Sequence, residues 1–221
     1  MRTRGAASTL RPMTAELRDL ITIGRDREAA AAAVGGNMDG VQQLEQVAPM
    51  LGAIVGNISD ADLGRPTPCA EFAVADVLEH MIGGASAFAP GFRGDGSAPN
   101  PPTDGTVFDR WHAAMSSLME SVHVDGAQDN KIASPFGEVT GAYFARYVAL
   151  DGITHAWDLA VATGQPFDPP ADLVGEIDAF ARELIGDDLR DGDTFAAATE
   201  PPPDATAVER LVAFTGRTVP R

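Results

Sequence analysis

The sequence predicts an all-α protein, a bundle of four long helices with a short C-terminal helical addition. Apolar residues recur at three- and four-residue steps in four separate stretches, strict apolar/polar alternation is scarce, and Gly/Pro clusters divide the stretches. No internal repeat is present. A chain of 221 residues is long enough for one domain with a sizeable core, without help from disulfides.

The first 37 residues end in the alanine run Ala29 to Ala33 and the breaker Gly35-Gly36-Asn37. They read as an N-terminal extension with a helix at about 13–33, or as sequence upstream of a true start at Met38. Residues 38–221 form the predicted helical-bundle domain. From Val41 the residues Leu44, Val47, Leu51, Ile54, Val55 and Ile58 trace the first helix, with Pro49 marking a kink or a first turn. Gly64, Pro66 and Pro68 mark a loop, and Glu71 to Phe88 is the second helix, through Phe72, Val77, Leu78, Met81 and Ile82, with its end expected near Pro90.

Gly91 to Gly105 reads as a polar loop, and Val107 to Val122 as the third helix, with Trp111, Met115, Leu118 and Met119 on its apolar side. A connector at 125–137 can hold an extended piece around Ile132. The fourth helix is expected from Glu138 to about Thr163, ended by Gly164 and Pro166. Shorter helices are expected at about 171–186 and 204–215, separated by the Asp191-Gly192-Asp193 turn and the breaker Pro201-Pro202-Pro203.

The formal charge of −16 repels phosphate backbones and anionic lipid, so nucleic acid and membrane surfaces are excluded as expected partners in favour of a small molecule. No run approaches the ~18 uncharged apolar residues of a membrane span. The single cysteine, Cys69, rules out an intramolecular disulfide and suits a cytoplasmic location. Leu20-Ile21-Thr22-Ile23 is too short for a signal-peptide core. Fifteen arginines against the single Lys131 suggest a GC-rich genome.

Asp151 and His155 are four residues apart on the fourth helix, so they project roughly 40° apart, one turn above the other. That is a separation from which a carboxylate and an imidazole can grip one cation. His80, expected on the core-facing side of the second helix, can join them in a divalent-metal site of His80, Asp151 and His155 with one position open. The competing readings are a helix-face ion pair and a histidine packed in the core. Asp76, four residues before His80, is either a further ligand or solvated. Asp158 can accept a hydrogen bond from His155 and fix its tautomer. Trp157 is expected in the core, and His112 and His123 in surface or partly buried roles. Arg146 is either an anchor for an anionic substrate or part of a surface salt bridge. Cys69 is either activated before a helix start or simply buried.

The segments Thr67-Pro68-Cys69-Ala70-Glu71-Phe72, Val77-Leu78-Glu79-His80-Met81-Ile82-Gly83-Gly84, Pro135-Phe136-Gly137-Glu138-Val139 and Asp151-Gly152-Ile153-Thr154-His155-Ala156-Trp157-Asp158-Leu159-Ala160 resemble actinobacterial proteins carrying the metal-binding domain of mycothiol-dependent maleylpyruvate isomerase, in the DinB/YfiT-like superfamily. Arg210 to Arg217 resembles the end of that domain, so the resemblance spans about residues 38–217. It implies a DinB-like four-helix bundle whose ligand positions for a divalent metal, zinc foremost, are His80, Asp151 and His155, with water or a thiol in the fourth position. It also implies a metalloenzyme using mycothiol or a similar low-molecular-weight thiol on a small electrophile, as a transferase or isomerase, with a metal-bound hydroxide hydrolase as its variant. The alternative is a non-catalytic metal-binding or interaction protein, with a homodimer as its expected assembly.

Two departures stand out. Phe72-Ala73 replaces the usual Trp-Asp, removing an acidic N-cap that Thr67 or Glu71 only partly replaces, and Asp151 stands where the isomerase has Glu. Residues 165–221 are also unlike the isomerase's larger C-terminal domain, which weighs against maleylpyruvate isomerisation itself.

Overall fold

The computed structural model of the chain describes residues 24, 26–29, 37–95, 101–134, 136–190 and 194–220. Four long helices form the bundle: α1 Gly40–Gly56, α2 Val74–Arg93, α3 Val107–Val122 and α4 Gly141–Thr163. α1 lies along α4 and α3 along α2, with α2 also touching α4. A two-stranded antiparallel hairpin, β1 Lys131–Ser134 and β2 Gly137–Thr140, packs against α2 and α4. The C-terminal addition is α5 Ala171–Leu184 and α6 Ala207–Phe214, which pack on each other and on α4. No helix among the described residues is long and apolar enough to cross a membrane. Most of the predicted 13–33 helix and the Asp191-Gly192-Asp193 turn lie outside the described residues.

α1 starts at Asp39, whose carboxylate accepts from the Gln42 backbone N–H while the Gln42 side chain accepts from the Asp39 N–H, a reciprocal cap that satisfies two free donors. Pro49 sits in the helix interior on the exposed side, so the hydrogen bond it removes faces water. α2 begins at Val74, three residues later than the apolar spacing suggests, and runs through Pro90 to Arg93. A proline this near a C-terminus removes one helical bond and leaves the last turn intact. Gly94, at φ 71°, ends the helix, with Asp95 N–H donating back to the Pro90 carbonyl.

The fourth helix is also shorter than its apolar spacing suggests. Residues Gly137 to Thr140 pair with β1, placing Ile132 opposite Val139 with both side chains buried, so the hairpin takes the start of the expected helix. Thr140 then caps α4 by accepting from the Tyr143 N–H, and Gly164 at φ 70° ends it. α4 is buried nearly all round, from Phe144 and Ala149 to Ile153, Ala156 and Leu159, as befits a central helix. Trp157, 4% exposed, packs in this core as expected.

The backbone at Gly141 passes so close to the Ala127 carbonyl that a Cβ would lie 2.0 Å from its oxygen. Gly141→Ala is therefore expected to cost about 1–3 kcal/mol by overpacking, read as a lower urea midpoint with an unchanged denaturant slope.

Candidate metal centre

Because α4 is central, each polar side chain on it must find a partner or face a cavity. Asp151, His155 and Asp158 lie on one strip of the helix at spacings of four and three. Asp151 is 26% exposed by side chain, His155 5% and Asp158 0%, so the strip runs from a cavity into the core. α2 brings His80 to the open end. Its side chain is 45% exposed, correcting the expectation of a core-facing histidine: it stands at the cavity rim with its edge toward His155, ring centroids 4.9 Å apart.

The three predicted ligands come together. Nε2 of His80 lies 3.7 Å and Nε2 of His155 3.5 Å from the same Asp151 Oδ1. Those separations exceed the N–H···O range of ~2.7–3.2 Å. They match the spacing of donors sharing one ion, since tetrahedral bonds of ~2.0–2.1 Å put neighbouring donors roughly 3.3 Å apart. His155 Nδ1–H donates to Asp158 Oδ2 at 3.0 Å, which leaves Nε2 as the nitrogen facing Asp151. The side chains present therefore fit a divalent cation of the borderline class that accepts imidazole and carboxylate.

Asp158 has a second partner that sequence spacing does not reveal. Arg217, in the stretch after α6, donates through Nη2 to Asp158 Oδ2 at 3.0 Å and through Nε to Oδ1 at 3.4 Å. Burial works against the Arg217 charge, yet Asp158 holds its pKa above the usual range. The order Asp151, His155, Asp158, Arg217 is thus a row of alternating charge.

Burial would raise the Asp151 carboxyl, but the histidines beside it, His155 first, hold it well below the usual carboxylate range. Burial would likewise lower the His155 imidazole, but Asp151 and then Asp158 outweigh it and push the pKa up to about 9. The carboxylates on either side of His155 thus favour its protonated, imidazolium form.

These side chains open onto a cavity of about 530 Å³ whose walls include Cys69, Phe72, Tyr147, Phe195 and Arg217. Burial, and after it the Asp151 charge, keep the Tyr147 hydroxyl protonated well above its usual range. Tyr147 stands four residues before Asp151, an i,i+4 signal the sequence does contain. The turn leading to α2 holds Glu71 at φ 67°, a left-handed conformation disfavoured for a residue with a Cβ.

The other candidates lie elsewhere. Asp76 accepts from the Ala73 N–H at the start of α2, a local role in place of a ligand's. Neither Thr67 nor Glu71 caps that helix; the Thr67 hydroxyl donates to the carbonyls of Phe72 and Cys69. Arg146 does not line the cavity: its guanidinium lies 4.6 Å from the centre of the Phe180 ring. His123 donates Nδ1–H to the Met119 carbonyl and pairs with Glu45, and His112 packs beside Trp111.

Two outcomes follow from the charge row. Asp158→Ala strands the buried Arg217 charge and frees the His155 ring. It should cost about 3–5 kcal/mol of stability in chelator-treated protein and lower cation affinity about 10–100-fold, while adding Arg217→Met should recover part of the stability. With its pKa raised from 6.5, His155 contributes stability fully below that value and loses it as pH rises through about 9. A cation must displace that proton, so affinity should climb with pH up to about 9, and calorimetry at pH 7 in two buffers should count about one proton released per cation.

The family model described as mycothiol maleylpyruvate isomerase N-terminal domain matches residues 44–160, taking in His80, Asp151, His155 and Asp158 but not Arg217. Two Mycobacterium tuberculosis proteins, the uncharacterized proteins Rv0738 and MT0763, are each 35% identical to this chain over 185 residues, covering 82% of it and 100% of the relative. No solved structure matches the chain. The chain belongs to the family of the mycothiol maleylpyruvate isomerase N-terminal domain.

Proposed function

We propose that this protein is a cytoplasmic metalloenzyme that holds a divalent metal, zinc foremost, through His80, Asp151 and His155 and uses mycothiol or a similar low-molecular-weight thiol on a small electrophile. The observation that carries this reading is the approach of two imidazole nitrogens to one carboxylate oxygen, at 3.5 and 3.7 Å, beside a cavity large enough for a small substrate. A bound cation favours the thiolate form of a thiol at neutral pH, which is the chemistry such a centre supplies.

The chain's own residues do the rest. Asp158 fixes the His155 ring, Arg217 balances the buried carboxylate, and the strained turn at Glu71 with Phe72 forms one cavity wall. The family match supports thiol chemistry. It ends at residue 160, so the cavity wall contributed by residues 194–217 is this chain's own with respect to that match, and the reading is transfer or isomerisation of a small electrophile, not maleylpyruvate isomerisation in particular.

Protein stripped with a chelator and reloaded should take up about one equivalent of zinc. His155→Ala should reduce affinity by more than the ~10–100-fold expected for losing only an outer-shell partner. The loaded protein should accelerate conjugation of mycothiol to at least one member of an electrophile panel, with the acceleration absent in His155→Ala. Full zinc occupancy with no acceleration across the panel would point instead to a non-catalytic metal-binding role.

A further inference from the structure

Tyr147 lies on the cavity wall, four residues before Asp151 and so roughly 6 Å from it along the α4 axis. Its ring is enclosed by aromatic neighbours, with the ring centres of Phe136, Phe144 and Phe88 lying 5.1, 5.5 and 6.4 Å away. Those contacts occupy the ring, so the hydroxyl end is what the side chain presents to the cavity. Among the described residues that hydroxyl has no hydrogen-bond partner, and it differs from the hydroxyl of Tyr143, one turn earlier, which is sealed from solvent. Burial keeps it protonated. A tyrosine O–H so placed ordinarily has a partner, and here only a molecule in the cavity can supply one.

The same wall is poor in free positive charge. The Arg217 guanidinium gives Nε and Nη2 to Asp158 and Nη1 to the Thr215 hydroxyl, and no lysine or other arginine lines the cavity among the described residues. Glu71 and Asp151 add carboxylates to the wall. A carboxylate on the electrophile would therefore give up hydration without gaining a cation to replace it. Phe72 and Phe195 offer apolar contact instead.

Resting on the thiol chemistry of the reading above, we propose that the electrophile is an uncharged α,β-unsaturated carbonyl compound and that Tyr147 O–H donates a hydrogen bond to its carbonyl oxygen. In this class the carbon attacked and the oxygen that gathers charge are several bonds apart, which suits a donor one helical turn from the end of the cavity that holds His80, Asp151 and His155. The thiolate sulfur bonds the β-carbon, the C=C electron pair shifts toward the carbonyl oxygen, and Tyr147 stabilises the negative charge that develops there. Water then gives a proton to the α-carbon, replacing the one the thiol released. The net change is addition of S–H across C=C, and no oxidant or reductant is required.

Binding and turnover test this separately. In chelator-treated protein, the infrared C=O stretch of bound carbon-13-labelled cyclohexanone, an unreactive analogue, should lie lower in the wild type than in Tyr147→Phe, whose melting temperature should be unchanged. With zinc and mycothiol, Tyr147→Phe should lower kcat for cyclohexenone roughly 10²-fold with a smaller change in KM. Cyclohexenone bearing a ring carboxylate should show a kcat/KM about 10-fold or more below that of the neutral ketone in the wild type. The same C=O stretch in wild type and Tyr147→Phe, or no binding of cyclohexanone, would overturn the Tyr147 assignment. Equal kcat/KM for the two enones, or turnover of neither, would overturn the substrate class. A stretch that depends on Tyr147 in a protein that takes up no zinc would contradict the metal reading and leave the Tyr147 contact standing.

Discussion

The wholly buried carboxylate of Asp158 imposes the constraint on which the centre depends. An ion in a protein interior costs several kcal/mol in lost hydration unless partners restore it. Asp158 has two, and each does structural work. Arg217 ties the segment after α6 back onto α4 across 59 positions of sequence, and His155 is turned so that its second nitrogen faces Asp151. The same carboxylate thus docks the C-terminal addition and orients the His155 ring.

Placement of the row follows from the role of α4. A helix covered by α1, α2, α5 and α6 has little solvent to offer its polar residues, and this one carries Asp151, His155 and Asp158 along a single strip. The strip is accommodated because one end meets the cavity and α2 presents His80 across it. Close backbone approaches hold the helix in place, as at Gly40, where a Cβ would lie 2.7 Å from both the Ala142 oxygen and the Arg146 nitrogen of α4. Small residues at such points let the helices come together closely enough for side chains of ordinary reach to meet.

Local periodicity made much of this legible in the sequence. Val41 to Ile58 read as a helix because its buried residues fall at helical steps, and Asp151, His155 and Asp158 read as one face for the same geometric reason. Spacing works less well where tertiary pairing competes with it. Glu138 to Thr140 continue toward a helical pattern but pair with Lys131 to Ala133, and Phe72 packs from a turn outside the helix it was expected to join. Spacing puts His80 on the correct helix but on its buried side. It lies beside Met81, which is buried, yet its own direction is toward the cavity mouth. Arg217 as the partner of Asp158 could not be read from spacing at all, because the contact depends on how α5 and α6 fold back. The family resemblance reached residue 217 without assigning that residue a role. The charge pattern, meanwhile, contained no sign that Cys69 and His155 would share a cavity.

The proposed three-ligand centre stands or falls on the position of one ion. A crystal of the protein grown with zinc, with diffraction measured on both sides of the zinc absorption edge, should give an anomalous peak within bonding distance, ~2.0–2.2 Å, of His80 Nε2, His155 Nε2 and an Asp151 oxygen. A peak at some other group of side chains, or none while His80, Asp151 and His155 keep the separations described above, would contradict it.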